Sequence, residues 1–312
     1  MKAFEIKANG KYLDYRIPEK LDLNNISKFF STKYNVLKIW QESRHVLGIL
    51  EKNGINYFLK LATSSGISVT TKIDFNWNTQ FNKLVLRDYD LWVPQSIDSG
   101  LYKDNLFYMV SEYFEGELLA KTPHQGEENK DFKKYIYKII EFSEFIQNLN
   151  IEKLYEDDTE DYHHRFFEKT LSWYKAVPKK IIDKYHVTNL LEFVKNGYKN
   201  LNKKTRHGDF TPWHMMELQK GKILLIDGER ALKNGTEYYD IGYLIQRIYT
   251  VLGNKEFAKE ILAILMERNY DLNKLKVILT ARAIGGFCDE VLVRDDQNFE
   301  RADDFAKWTI NL

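Results

Sequence analysis

The stretch RHGDFTPWHMMELQKGKILLIDGER, residues 206–230, places two histidines and several acidic residues around an apolar run. The apolar letters ILLI predict a buried β-strand, because a strand that is covered on both faces is apolar at successive positions. Asp227 follows this run directly, and Asp209 stands between His207 and His214. Carboxylates and imidazoles in one short segment are typical of a site that transfers protons or binds a metal ion.

The spacing of these residues matches a phosphoryl-transfer site. Such an enzyme needs a base for the acceptor hydroxyl, oxygen ligands for Mg²⁺ and a cation at the phosphates. The protein-kinase catalytic loop runs H-R-D-x-x-x-x-N and is followed, after a short hairpin, by a metal-binding Asp. HGDFTPWH reproduces the His, the Asp and the last ligand position of that loop, with Asp227 in place of the metal-binding Asp.

Together, HGDFTPWH, LLIDGER and the later YYDIGYL resemble the aminoglycoside phosphotransferase and choline kinase family. The resemblance implies ATP-dependent transfer of the γ-phosphoryl group to the hydroxyl of a small-molecule acceptor. It also implies the roles of several residues: Asp209 is the catalytic base, His207 braces the loop, Asp227 binds Mg²⁺, Asp240 supports the fold behind the site, and Glu229 is an acid that the family has after the metal-binding Asp.

The resemblance further implies a nucleotide site in the first third of the chain. Lys60, in YFLKLA, takes the position of the lysine that contacts the α- and β-phosphates. Asp74 is the candidate acid partner of this lysine, although it is shorter than the usual glutamate; favouring a helix N-terminus is its alternative role. The strand LFYMVSEYF ends like the hinge between lobes, so Glu112 and Phe114 are expected to offer backbone groups to the nucleotide base. Ser43 and the amides of its turn are candidates for a phosphate contact, with an ordinary hairpin turn as the alternative.

His214 stands where the family has an asparagine. Mg²⁺ prefers oxygen ligands, whereas imidazole suits later transition metals. A ligating His214 would therefore shift the metal preference towards Mn²⁺ or Co²⁺. The alternative is that His214 only hydrogen-bonds the loop or contacts a phosphate.

Periodicity along the chain predicts an α+β protein with two lobes. Five β-rich segments predict a small antiparallel sheet: YNVLKIWQES, RHVLGILEKNG, NYFLKLA, LWVPQSID and LFYMVSEYF. The main helix among them has one apolar face, formed by Ile73, Trp77, Phe81 and Leu84. After EGELL the helical period dominates. We therefore expect the bilobal protein-kinase-like fold that the resemblance implies, with a nucleotide-binding lobe at residues 1–114 and a mostly helical catalytic and acceptor-binding lobe at 115–312.

Composition narrows the classes of partner. The chain has 312 residues, and its 46 Lys and Arg residues nearly balance 45 Asp and Glu residues, so we expect neither nucleic acid nor a membrane surface as a partner. The single cysteine, Cys288, fits a reducing cytoplasm and the role of a small buried hydrophobe. No apolar run is long enough to span a bilayer, which also favours the cytoplasm. The acidic runs EDDTED and RADD weakly favour a cationic acceptor.

Two other classes of function stay open. A pseudokinase-like protein would bind nucleotide with weak or no turnover, as the histidine at position 214 and the aspartate at position 74 allow. A metallohydrolase would use His207, Asp209, His214 and Asp227 as a transition-metal cluster. The metallohydrolase hypothesis leaves Lys60 and the hinge unexplained. Bound zinc together with ATP-independent phosphatase activity would support that hypothesis.

Overall fold

The computed structural model describes residues 2–86, 89–103, 105–121, 132–294 and 296–312, with Lys220 described by its backbone alone. Among these residues, no helix combines the length and the apolar character that a bilayer span requires. The fold is mixed α+β, with a small antiparallel sheet in the N-terminal part and a helical C-terminal part, as the sequence predicts.

The N-terminal part consists mainly of strands. In chain order its elements are β1 (Glu5–Ala8), β2 (Lys11–Asp14), α1 (Leu23–Phe30), β3 (Asn35–Glu42), β4 (His45–Lys52), β5 (Ile55–Ala62), α2 (Ser65–Leu84), β6 (Leu91–Trp92), β7 (Ser96–Tyr102) and β8 (Leu106–Glu112). Five of these strands form an antiparallel sheet in the order β3-β4-β5-β8-β7, and β1 pairs with β2 as a separate hairpin. An apolar cluster joins α1 to the sheet, and α2 packs against β5 and β8.

Two expectations for this part were wrong in detail. The segment LWVPQSID is not one strand, because Pro94 has no N–H to donate to a ladder and separates β6 from β7. Strand β6 instead pairs in parallel with a strand from the C-terminal part, with Leu91 opposite Ile223. Leu84 was expected on the buried face of α2, but it is the last residue of the helix and is half exposed.

The C-terminal part contains most of the helices. Its elements are α3 (Ile136–Gln147), α4 (Tyr162–Ala176), α5 (Lys179–Lys184), α6 (Val187–Gly197), β9 (Lys203–Arg206), β10 (Met215–Glu217), β11 (Ile223–Leu225), β12 (Leu232–Thr236), α7 (Tyr239–Thr250), α8 (Lys255–Glu267), α9 (Leu272–Leu292) and α10 (Phe299–Ile310). The stretch quoted above contains the strand pair β10-β11 and is flanked by the pair β9-β12. Cys288 is buried in the helical core. The division of function at residue 114 stays a prediction.

Candidate functional site

Lys60 brings together three acidic side chains from two distant parts of the chain. It lies on the central strand β5, and its Nζ is 2.7 Å from Asp74 Oδ2, 2.6 Å from Asp227 Oδ1 and 2.8 Å from Glu229 Oε1. Burial alone would lower the pKa of Lys60, but the three carboxylates outweigh that effect and hold this pKa well above its usual value. Lys60 is therefore a protonated cation in the middle of an acidic group.

Asp74 connects helix α2 to the segment that follows β11. Its Oδ2 is bound to Lys60, and its Oδ1 accepts a hydrogen bond of 2.8 Å from the Gly228 backbone N–H. Asp74 lies ten residues into α2 rather than in the first turn, so the alternative role at the helix N-terminus does not apply. The aspartate is long enough for the pairing that the sequence predicted.

Asp227 has an unusual backbone conformation at the end of the apolar run. Its φ is +68°, in the left-handed region where an L-residue is strained and where Asp is among the better tolerated side chains. Gly228 follows, and a Cβ atom there would lie 2.4 Å from the Trp77 side chain. The Lys60 ammonium opposes the effect of burial and lowers the pKa of Asp227 to about 2. The carboxylate is therefore ionised across the physiological range.

Asp240 holds the start of the HGDFTPWH loop. Its two carboxylate oxygens accept backbone N–H groups of His207 and Gly208, each at 2.8 Å. Burial raises the pKa of Asp240 to about 6, and the two N–H donors oppose that rise. The His207 ring is buried with its edge against Trp77, and burial lowers the pKa of His207 to about 3, so the imidazole is neutral. Asp240 thus holds the backbone at the start of the loop, and the bracing role of His207 stays a prediction.

The loop brings Asp209 and His214 next to Asp227. His214 ends a 3-10 turn at Pro212–His214, with its Nδ1 3.7 Å from Asp209 Oδ1 and its Nε2 3.4 Å from Asp227 Oδ2. One potential ligand atom from each residue lies within 4.8 Å of the other two. Burial would lower the pKa of His214, but the carboxylates of Asp209 and Asp227 outweigh it and raise this pKa.

Glu229 has two basic neighbours that the sequence analysis missed. Its Oε2 is 3.1 Å from Arg44, and its Oε1 is 3.1 Å from His45. Arg44 follows Ser43 directly in the same turn. A basic side chain in a turn that was considered for a phosphate contact was the signal that could have identified it. Ser43 itself is exposed, with a φ of +49°, whereas the neighbouring Arg44 side chain contacts Glu229.

The residues predicted to form the hinge lie at the end of β8, with Glu112 as its last residue and Phe114 two residues beyond it. The Glu112 backbone N–H donates to the Gln95 carbonyl at 3.0 Å, so that donor is engaged within the sheet. The Phe114 ring contacts Trp92, with 6.2 Å between ring centroids. The proposed contacts of Glu112 and Phe114 with a nucleotide base stay predictions.

Comparison with solved structures identifies the fold, although no protein-family model and no curated protein matches the chain. The aminoglycoside phosphotransferase APH(4)-Ia, in a ternary complex with ADP and hygromycin B, superposes with a TM-score of 0.67 at 12% identity over 92% of this chain and 97% of its own. The choline kinase LicA from Streptococcus pneumoniae superposes with a TM-score of 0.57 at 16% identity. The match covers 93% of this chain and 99% of the LicA chain. APH(2")-IIia, in complex with GDP and kanamycin, superposes with a TM-score of 0.59 at 13% identity. The match covers 93% of this chain and 97% of the APH(2")-IIia chain. This chain therefore has the protein-kinase-like fold of aminoglycoside phosphotransferases and choline kinase, as the resemblance implied.

Proposed function

We propose that the protein is an ATP-dependent small-molecule kinase that transfers the γ-phosphoryl group to an acceptor hydroxyl. The observation that carries the proposal is the position of Asp227, which lies 2.6 Å from Lys60 on one side and beside Asp209 and His214 on the other. A candidate phosphate-binding cation, a candidate metal-binding acid and a candidate base thus belong to one cluster of side chains, as phosphoryl transfer requires. Complexes of the similar structures with ADP and GDP support a nucleotide as the donor.

Each chemical role is assigned to a residue of this chain. Asp209 is the proposed general base, and its side chain is 24% exposed, which lets an acceptor hydroxyl reach its carboxylate. Lys60 is the proposed phosphate contact, because it is protonated and its acidic neighbours orient it. His207 and Asp240 position the loop that carries the base.

The donor set fits a divalent cation. Asp209, His214 and Asp227 offer two carboxylates and one imidazole, and carboxylate oxygens suit Mg²⁺ while the imidazole also allows Mn²⁺. Asp227 is the proposed principal ligand, and its low pKa keeps it ionised for this role. When bound, the metal would neutralise charge on the phosphates.

Calorimetry with ATP and GTP, with and without Mg²⁺, tests the nucleotide site. We expect Mg²⁺-dependent binding by the unchanged protein, loss of that dependence in Asp227→Ala, and no change in Asp183→Ala, which removes an exposed aspartate of α5. A panel of hydroxylated metabolites and aminoglycosides, assayed for ADP release, then tests turnover. Binding without turnover on any acceptor would favour the pseudokinase-like alternative, and absence of nucleotide binding would contradict both.

A further inference from the structure

A cavity of about 210 Å³ lies beside the proposed base, lined in part by Gly208 and Asp209. Its walls include β1, the segment just after β2, and residues of α4, β9, β12, α7 and α9. Eight of the lining residues are Arg or Lys, and five are Asp or Glu, which leaves three positive charges in excess. A nearly neutral protein therefore has a locally cationic pocket next to its candidate base.

The acids of this cavity do not neutralise most of its cations. Glu229 pairs with Arg44 at 3.1 Å, and Asp289 pairs with Arg247 at 2.8 Å. Across the parts of the chain that the structure describes, five lining cations have no carboxylate within ion-pair distance: Arg16, Lys169, Arg206, Arg230 and Arg282.

Arg282 is the most informative of these cations because its side chain is buried, with the residue only 4% exposed. Its guanidinium lies over the rings of Tyr243 and Trp173, at 4.0 and 4.9 Å, and it donates to Tyr239 Oη at 3.3 Å and Gln246 Oε1 at 3.5 Å. Its Nε has no hydrogen-bond partner among the described residues. Burying a cation without an opposite charge is costly, and a bound anion would remove much of that cost.

Two further arginines are arranged to bind an oxyanion. Arg206 stacks on the Tyr239 ring at 3.7 Å, and Arg230 stacks on the Tyr15 ring at 3.5 Å. Stacking uses the face of the guanidinium and leaves the N–H groups on its edge for other partners. That edge matches the geometry of a carboxylate or a phosphate.

The acidic runs that favoured a cationic acceptor have partners within the chain. Asp158 is buried and accepts backbone N–H groups of Lys233 and Asn234 at 2.9 Å, and Asp161 caps the N-terminus of α4. In the C-terminal run, Asp304 pairs with Lys255 at 2.7 Å. These contacts account for Asp158, Asp161 and Asp304 without a substrate, whereas Asp157 of the first run is one of the five acids that line the cavity.

We propose that the acceptor is an anionic alcohol, a hydroxylated compound whose carboxylate or phosphate binds Arg206, Arg230 and Arg282 while its hydroxyl faces Asp209. The inference rests on the proposed kinase function. In the transfer, the acceptor oxygen forms a bond to the γ-phosphorus, the bond from that phosphorus to the β,γ-bridging oxygen breaks, and ADP leaves. The hydroxyl proton passes to the Asp209 carboxylate.

A matched series of sugars tests the charge preference by calorimetry on the full chain. Gluconate, glucose and glucosamine differ in charge at similar size, and a hexose phosphate distinguishes a phosphate from a carboxylate. We expect saturable binding of at least one anion, at least about tenfold tighter than glucosamine, which corresponds to about 1.4 kcal/mol. Equal or tighter binding of glucosamine, or no saturable binding of either anion at millimolar concentration, would overturn the inference.

Variants of the cavity arginines supply the second readout. Arg206→Gln and Arg230→Gln should each weaken anion binding about tenfold or more while ATP affinity stays unchanged. Arg268→Gln, which removes a surface arginine outside the cavity, is the control and should change neither value. Unchanged anion binding in both cavity variants would overturn the inference. If the unchanged protein showed no Mg²⁺-dependent ATP binding, the proposed kinase function itself would be wrong. Failure of the anionic-acceptor inference can therefore be told apart from failure of the kinase proposal.

Discussion

His214 is the single residue at which the site departs most from an oxygen-only metal site. Its Nε2 lies 3.4 Å from Asp227, and its Nδ1 lies 3.0 Å from the Asp209 carbonyl oxygen. The imidazole can therefore reach the metal-binding region while its other nitrogen stays within the loop. An asparagine would present an amide oxygen at the same place.

Replacing His214 by asparagine tests whether the imidazole is a ligand. If it is, the ratio of activity with Mn²⁺ to activity with Mg²⁺ should fall severalfold in His214→Asn, because an oxygen replaces a nitrogen that favours the later metal. The measurement is steady-state turnover with each metal at saturating concentration. The same ratio in both proteins would show that His214 only supports the loop.

At the scale of elements, the turn after β9 depends on a glycine. Gly208 has a φ of +85°, and a Cβ atom there would lie 2.2 Å from the Arg230 carbonyl oxygen. Gly253, after α7, has a φ of +67° but no atom within 4 Å of the same position. The two glycines thus share a left-handed backbone conformation, which would strain any other residue, but they differ in the space around the Cβ position.

This pair gives a matched prediction for the catalytic turn. Gly253→Ala should cost about 1–2 kcal/mol of unfolding free energy, the expected strain of a left-handed L-residue, with turnover unchanged. Gly208→Ala should cost more and should also reduce turnover, because the turn must move away from Arg230 and take Asp209 with it. Urea unfolding and kinetics on both variants measure the difference. Equal effects of the two substitutions would show that the turn is not sterically constrained.

Elements also show how much the sequence could predict. Lys60, Asp74 and Asp227 were found because each lies at a recognisable position in a strand, a helix or a motif. The structure places a carboxylate oxygen of each aspartate within 3 Å of Lys60 Nζ. The anion-binding role of the cavity arginines could not be found in this way. Arg206 and Arg230 are the two ends of the stretch quoted at the outset, but their meeting with Arg282 of α9 appears only in the folded chain. The acidic runs EDDTED and RADD are easily seen in the sequence, but the groups that pair with their carboxylates can be identified only in the folded structure.

At the scale of the whole molecule, His45 links stability to pH. It is buried on β4 between Thr71 and Glu229, and burial lowers its pKa, although Glu229 opposes that effect. The folded protein therefore holds His45 neutral at pH values where the unfolded chain takes up a proton, below about pH 6.5. This contribution to stability is present above that pH and is lost as the pH falls.

Replacing His45 by glutamine should remove this proton uptake. Between pH 6.5 and pH 5, the unfolding free energy of the unchanged protein should fall more steeply than that of His45→Gln, by up to about 1.4 kcal/mol per pH unit. Urea unfolding at a series of pH values, without added metal, measures both slopes. Parallel slopes would mean that folding does not change the protonation of His45.

The most direct test of the proposed kinase mechanism is γ-phosphoryl transfer by Asp209→Asn, assayed with labelled ATP and the acceptor that the panel identifies. The substitution keeps the shape of the side chain and removes the proton acceptor, so transfer should fall by about two to four orders of magnitude. ATP affinity measured on the same sample should stay within about twofold, because Lys60 and Asp227 are untouched. Transfer at the rate of the unchanged protein, with ATP still bound, would contradict the assignment of Asp209 as the base.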